Sequence, residues 1–294
     1  MLLKKTLVFM VFMVFMAAMG IIYAHTLFIK PTHFYLRPNQ NVSVPVLNGT
    51  FYKNESSIQS KWVASKKIVG PGDKLEEKDT IGWQVNQQSA FMSFHTNTPG
   101  NYVIGVATHP RKVRVPAGKF DQYLRFEGLL DNITQREING ETEFTVTERY
   151  TKYAKAIVQT GSLHTPNYSA NLGHVVEIIP LDNPYTLAKN DVFRATILKD
   201  GKPLKNHLVY AMHDGSGTVN GKSGNREPIK VRSDAQGEIA FRLLEAGRWY
   251  VKFIDLRPVG EPEYWYTNIL VWLKMEEPAV FYESHWSTLT FEIK

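Results

Sequence analysis

The chain has 294 residues, 43% apolar and 21% charged, with 16 Phe, 14 Tyr and 6 Trp; this suffices for packed cores, fits two ordinary domains and excludes wholesale disorder. It contains no Cys, which removes disulfides, thiolate metal sites, iron–sulfur clusters and thiol nucleophiles and leaves only nitrogen and oxygen donors for any chemistry. The net charge of +6 falls to +4 once Lys4 and Lys5 leave with the first 24 residues, and no basic run accompanies it, so no nucleic-acid partner is expected.

Lys4 and Lys5 precede an uncharged stretch from Leu7 to Ala24, and Ile22-Tyr23-Ala24 ends on a small residue. This pattern predicts an export signal over 1–24 with cleavage after Ala24, and hence a periplasmic or secreted protein with no membrane span in its mature form. The uncharged stretch of 18 residues is longer than an ordinary signal core and approaches the roughly 20 needed to cross a bilayer. An uncleaved membrane anchor and a cut after Gly20 are therefore the competing readings.

Beyond residue 25 the apolar period is mostly two. Leu27 and Ile29, then Val42, Val44 and Val46, then Tyr102, Ile104 and Val106 read as half-buried strands. From 117 to 160 the spacing turns helical: Phe120, Tyr123, Leu124 and Leu130 share one face. Thr145-Val146-Thr147-Glu148 then reads as a capping box ahead of Tyr150, Tyr153, Ala154, Ile157 and Val158. Alternation resumes at Phe193, Ala195 and Ile197, at Ile239, Phe241 and Leu243, at Trp249, Val251 and Phe253, and at Leu289, Phe291 and Ile293. Asp200-Gly201 and Asp234 to Gly237 supply turn residues that tolerate positive φ. The fold expected is mainly β. Two antiparallel β-sandwich domains of immunoglobulin or transthyretin type cover 25–170 and 171–294, with a helical insertion at 117–160 closing the first.

The nine His include no i, i+4 pair and no H-E-x-x-H. His207 and His213 share a strand face but stand about 20 Å apart at ~3.3 Å per residue, too far for one ion. The segment 215–223 lacks the glycine and following helix of a phosphate loop. Tyr264-Trp265-Tyr266 offers aromatic surface, for which packing is the simpler role. Glu55, Glu127, Glu148, Glu177 and Asp255 are acids that nothing in the sequence makes neighbours, and no catalytic residue is assigned. His25 is distinctive by position: cleavage after Ala24 would place a free amine and an imidazole on one residue, a ready chelate for Cu(II), Ni(II) or Co(II).

These residues together resemble a known family, the exported proteins of domain-of-unknown-function family 4198, some labelled nickel-uptake or metal-transport accessory proteins. The likeness rests on Ala24-His25, Asn48-Gly49-Thr50-Phe51 with Glu55, Tyr123-Leu124 with Glu127-Gly128, and Glu148-Arg149-Tyr150 with Lys155. It continues through Glu177-Ile178-Ile179-Pro180, Asn183-Pro184-Tyr185, Gly201-Lys202-Pro203-Leu204, Asp234 with Gly237, Gly247-Arg248-Trp249 and Trp286 to Glu292. The resemblance implies export and no established catalysis. It also implies metal-type positions at or near Asp255 and His285. The His-rich tract that some relatives carry after the strand at 208–212 is missing here, which argues against bulk metal storage.

The expected function is therefore a non-catalytic envelope protein that binds Ni, Co or Cu, or a chelate of one, through His25 with Asp255 and His285 as partners. It would hand the metal to an envelope transporter or outer-membrane receptor. The alternatives are a carbohydrate- or receptor-binding sandwich without metal, and a copper oxidase with a histidine brace acting on polysaccharide.

Overall fold

Strand-forming sequence dominates the computed structural model, which describes residues 25–72, 81–214, 218–219, 222–223, 227–259 and 280–294. The expected export signal at 1–24, the run Tyr264-Trp265-Tyr266 and most of the loop at 215–223 lie outside the described residues. The first half contributes β1 (Thr26–Ile29), β2 (Tyr35–Leu36), β3 (Gln40–Gly49), β4 (Val63–Val69), β5 (Gly82–Val85), β6 (Ala90–Thr96), β7 (Gly100–Thr108) and β8 (Arg111–Val115). Helices α1 (Ala117–Phe126) and α2 (Leu130–Ile138) follow, and then β9 (Val146–Thr160). The second half contributes β10 (Val176–Pro180), β11 (Val192–Lys199), β12 (Lys202–Pro203), β13 (Leu208–His213), β14 (Thr218–Val219) and β15 (Lys222–Ser223). It ends with β16 (Ile229–Arg232), β17 (Glu238–Arg242), β18 (Gly247–Pro258) and β19 (Tyr282–Ile293).

The mainly β, sandwich-type architecture agrees with the alternating sequence. Along β3, Val42, Val44 and Val46 are buried while Asn41 and Ser43 are exposed; along β17, Ile239 and Phe241 are buried between exposed neighbours. The expected turn at Asp200-Gly201 has positive φ at both residues, 52° and 72°, and joins β11 to β12.

Three sheets build the body. A nine-stranded sheet runs β16-β13-β18-β19-β9-β7-β4, with β2 and β8 also paired to β9. A sheet of order β1-β3-β6-β5 covers one of its faces, with β1 lying across β19, β9 and β7. The sheet of β10, β11, β12 and β17 covers the other face, where Phe291 of β19 stacks on Phe193 of β11 with centroids 4.6 Å apart. The large sheet is thus a middle layer shared by both halves, and strand pairing runs across the boundary expected near residue 170. Strands β9 and β19, one from each half, pair in parallel from Glu148 opposite Tyr282 to Ala156 opposite Thr290. Both are buried along nearly their whole length, so neither can serve as a solvated edge, and joining them removes two edges at once.

The helical insertion is half as long as expected. Helices α1 and α2 occupy 117–138 and bury Phe120, Tyr123, Leu124 and Ile133, whereas Leu130 begins α2 on the exposed side. Residues 146–160 form a strand. Its Tyr150, Tyr153, Ala154, Ile157 and Val158 fit the helical template because a strand covered on both faces carries apolar residues on both, which destroys simple alternation. The β-branched Val146, Thr147, Thr151, Ile157, Val158 and Thr160 are the strand signal within it.

Candidate functional site

Side chains on β9, β18 and β19 divide by parity between the two faces of the large sheet. Thr288 and Thr290 donate from their hydroxyls to the carbonyls of Leu27 and Ile29, so the even residues of β19 face β1. Register then places Ser284 and Trp286 of β19, Glu148 and Lys152 of β9, and Tyr250 and Lys252 of β18 on that same face. The helices close its far end, where Tyr123 of α1 stacks on Trp286 at 6.0 Å.

On this face the interactions form a chain of polar contacts. The His25 ring, preceding β1, places Nδ1 against the Glu55 carboxylate, and both side chains are about one-third exposed, 39% and 33%. Glu55 belongs to the turn after β3, and its N–H donates to the Asn48 carbonyl at 3.1 Å. Asn48 is buried; it accepts at Oδ1 from Lys152 Nζ (2.9 Å) and donates from Nδ2 to Ser56 (2.6 Å). Four residues along β9 from Lys152, about 13 Å away on the same face, stands Glu148, whose carboxylate accepts from the Ser284 hydroxyl, which in turn accepts from Trp286 Nε1 at 3.0 Å. Farther along, Glu127 at the end of α1 pairs with Lys252 at 2.8 Å and takes the Tyr210 hydroxyl on its carbonyl at 3.0 Å. The chain passes here without room for a side chain: Gly128 has φ +69°, and a Cβ there would lie 2.1 Å from the Tyr210 hydroxyl.

Burial governs the charges. It raises the Glu148 carboxyl to about 7 against the opposing effects of the Ser284 hydroxyl, Lys152 and Tyr123. It lowers Lys152 to about 7, reinforced by Arg111 and opposed by Glu148. The Tyr123 phenol is pushed well up by burial and by Glu148 and Glu127. Burial on this face thus draws Glu148 and Lys152 toward their neutral forms.

The opposite face holds the other two expected ligands. Asp255 of β18 and His285 of β19 are cross-strand partners. Sequence reasoning grouped them with His25, but the large sheet stands between, so the three do not surround one point. The reason is parity: His285 lies between Ser284 and Trp286 and points away from them. Asp255 is already paired with cations, Arg257 Nε at 2.9 Å and Lys199 Nζ at 3.4 Å. His285 is buried with Nδ1 lacking a hydrogen bond, and burial and Lys199 lower its pKa against Glu283, Asp255 and Asp200. His207 and His213 each donate from Nε2 to a backbone carbonyl, Ile254 at 2.9 Å and Ala246 at 2.8 Å, consistent with separate structural roles. Among the described residues no group of three or more His, Cys, Asp or Glu is placed to hold a metal ion.

His174, on the same side as His285, gives a pH test. Its ring packs on Tyr153 at 5.2 Å, its Nε2 lacks a hydrogen bond, and burial lowers its pKa to about 4, with Glu177 opposing and Lys155 and Lys67 adding. The folded protein thus keeps it neutral while the unfolded chain takes up a proton near 6.5. Its contribution is complete above pH 6.5 and is lost as pH falls toward 4, roughly 3 kcal/mol over the window. Urea midpoints between pH 7 and 4.5 should fall more steeply for wild type than for His174→Gln; equal slopes would remove His174 as the cause.

Glu55, Asn48, Glu127 and Glu148 stand in the motifs that carried the family likeness, yet nothing in their spacing along the chain marks them as sharing a face. The available signal was the even spacing of Glu148, Tyr150 and Lys152, hidden by the helical reading. A β-sandwich protein with a histidine-carboxylate pair at the start of its first strand is the class defined by this geometry. The chain belongs to the family described as domain of unknown function DUF4198, whose sequence pattern matches residues 22–254. No curated protein matches the sequence. Among solved structures, the D0–D1 domains of intimin align with 90% of this chain and 97% of that one at 12% identity and a TM-score of 0.21. Trypsin-activated alpha-2-macroglobulin from Escherichia coli aligns with 80% of this chain and 14% of that one, at 10% identity and a TM-score of 0.26. The titin Z1Z2 domains, solved in complex with telethonin, align with 92% and 95% at 7% identity and a TM-score of 0.16. Similarities this low carry no argument about function. Among the described residues no helix is long and apolar enough to cross a membrane.

Proposed function

We propose that the protein is an exported, non-catalytic β-sandwich protein that binds a divalent transition metal, Ni, Co or Cu, or its chelate at His25 and assists its handling at the cell envelope. The observation that carries this reading is the contact of His25 Nδ1, itself buried, with the Glu55 carboxylate between two side chains that are partly exposed. Imidazole nitrogen and carboxylate oxygen are the donor types such ions take. Two donors of one ion are roughly 3 Å apart when each bond is about 2.1 Å, so a small separation of the two side chains admits it. An α-amine freed at His25 would add a third donor. Asp255 and His285 take no part, because they face the other layer. The partner of the His25 ring is a carboxylate, not the second histidine a copper brace needs, and the oxidase reading gains no support from it.

Calorimetric titration with Cu(II) and Ni(II) tests the reading on protein beginning at His25, on the same protein with one residue added ahead of it, and on His25→Ala. Binding should be tightest in the first form, weaker in the second and largely lost in the third. It should weaken as pH falls, because protons compete for the amine and the imidazole. Equal affinity in all three forms, or none in the first, would discard the metal reading and leave a metal-free binding module.

A further inference from the structure

We infer that Lys152 is a positioning residue for the metal site: it anchors Asn48, and through Asn48 it fixes the turn that carries Glu55 to His25. This rests on the reading above and extends it inward, from the surface pair to the middle of the large sheet.

The turn from Thr50 to Ser56 has few apolar anchors around Glu55 itself; Glu55 and Ser56 are exposed. What holds this part is Asn48. Its carbonyl accepts the N–H groups of Glu55 (3.1 Å) and Ser56 (3.2 Å), its own N–H donates to Asn54 Oδ1 (2.7 Å), and its Nδ2 donates to Ser56 Oγ at 2.6 Å. Four hydrogen bonds of the turn therefore converge on one residue. Its remaining side-chain acceptor, Oδ1, takes Lys152 Nζ at 2.9 Å.

Lys152 is a costly anchor. It is only 6% exposed, and Asn48 is its hydrogen-bond acceptor, with the Tyr150 ring 5.2 Å from the ammonium. An ammonium has three donors, and a buried one that fills a single acceptor loses stability that an apolar side chain of equal length would keep. A core strand that only needed packing would carry Met or Leu here. The lysine instead reaches from the central strand to Asn48, which binds the Glu55 end of the turn, while Phe51 and Asn54 hold its other parts. Burial lowers its pKa to about 7, with Arg111 of β8 adding to the shift and Glu148 of β9 opposing it.

Hydrogen exchange and metal titration together test this on mature full-length protein. In Lys152→Met the amides of Glu55 and Ser56 should exchange about tenfold faster or more in the absence of metal, while those of the β7–β9 ladder keep their protection. Ser56→Ala, an exposed change that endangers no core, should loosen the same two amides to a smaller degree. With Cu(II) as the probe, Lys152→Met should weaken binding to the level of Glu55→Gln, and the two changes combined should add nothing further. Unchanged Glu55 and Ser56 exchange in both single variants would overturn the inference. So would a Lys152→Met affinity equal to wild type, or additive losses in the double variant. Failure of wild-type protein to bind metal would sink the proposed function alone, because the exchange comparison still decides whether Lys152 holds the turn.

Discussion

Glu177→Leu is expected to lower the unfolding free energy by roughly 3–5 kcal/mol, the cost of breaking a buried ion pair and stranding one charge. Lys155 of β9 and Glu177 of β10 are each 2% exposed and meet at 2.6 Å between the large sheet and its second cover. Glu177 also accepts the N–H groups of Leu172 (2.8 Å) and His174 (3.1 Å), tying the connection between the halves to β10. Lys155 additionally donates to the carbonyls of Ala170 (2.7 Å) and Ile178 (3.2 Å). Without Glu177 the ammonium keeps two carbonyls but no counter-charge, and burial already lowers its pKa against the influence of Glu177. Urea unfolding should show a lower midpoint at unchanged slope. The double change Lys155→Met with Glu177→Leu should recover only the part of the loss due to the stranded charge, since the N–H groups of Leu172 and His174 still lack their acceptor. A single variant as stable as wild type would show that the pair contributes nothing.

Trp249→Ala should cost a similar amount, roughly 3–5 kcal/mol, through lost burial and the cavity left behind. Trp249 is 2% exposed on β18; its ring lies 6.0 Å from that of Phe241 on β17, and its Nε1 donates to the Glu245 carbonyl at 2.9 Å. It fills the space between the large sheet and the β11–β17 layer, where neighbouring strands are held by their hydrogen bonds and cannot collapse inward. The residue's place on the apolar side of a strand with Val251 and Phe253 was legible in the sequence, and the structure adds the layer it packs against. An unchanged melting temperature would show that the site closes up without cost.

Alternation in the sequence determined most strands: β3, β11, β17 and β18 each keep the apolar face that a period of two assigns, and β7 was legible as a strand although both of its faces are buried. Helical spacing of Phe120, Tyr123 and Leu124 marked α1, while α2 was legible only as part of a longer helical region; the turn at Asp200-Gly201 and, through scattered motifs, the family were also legible. Strand β9 escaped because both of its faces are covered, so its apolar residues matched a helix as well as a strand. The site escaped for a related reason. Period two says which residues of a strand share a face, but it does not say which layer covers that face or which strand lies beside it. The parallel pairing of β9 with β19 joins segments more than a hundred residues apart. That pairing set Glu148 and Lys152 beside Ser284 and Trp286 under His25, and it turned Asp255 and His285 to the other side. Local pattern fixes the alternation of side chains, and only long-range strand pairing and layer packing decide which side chains meet.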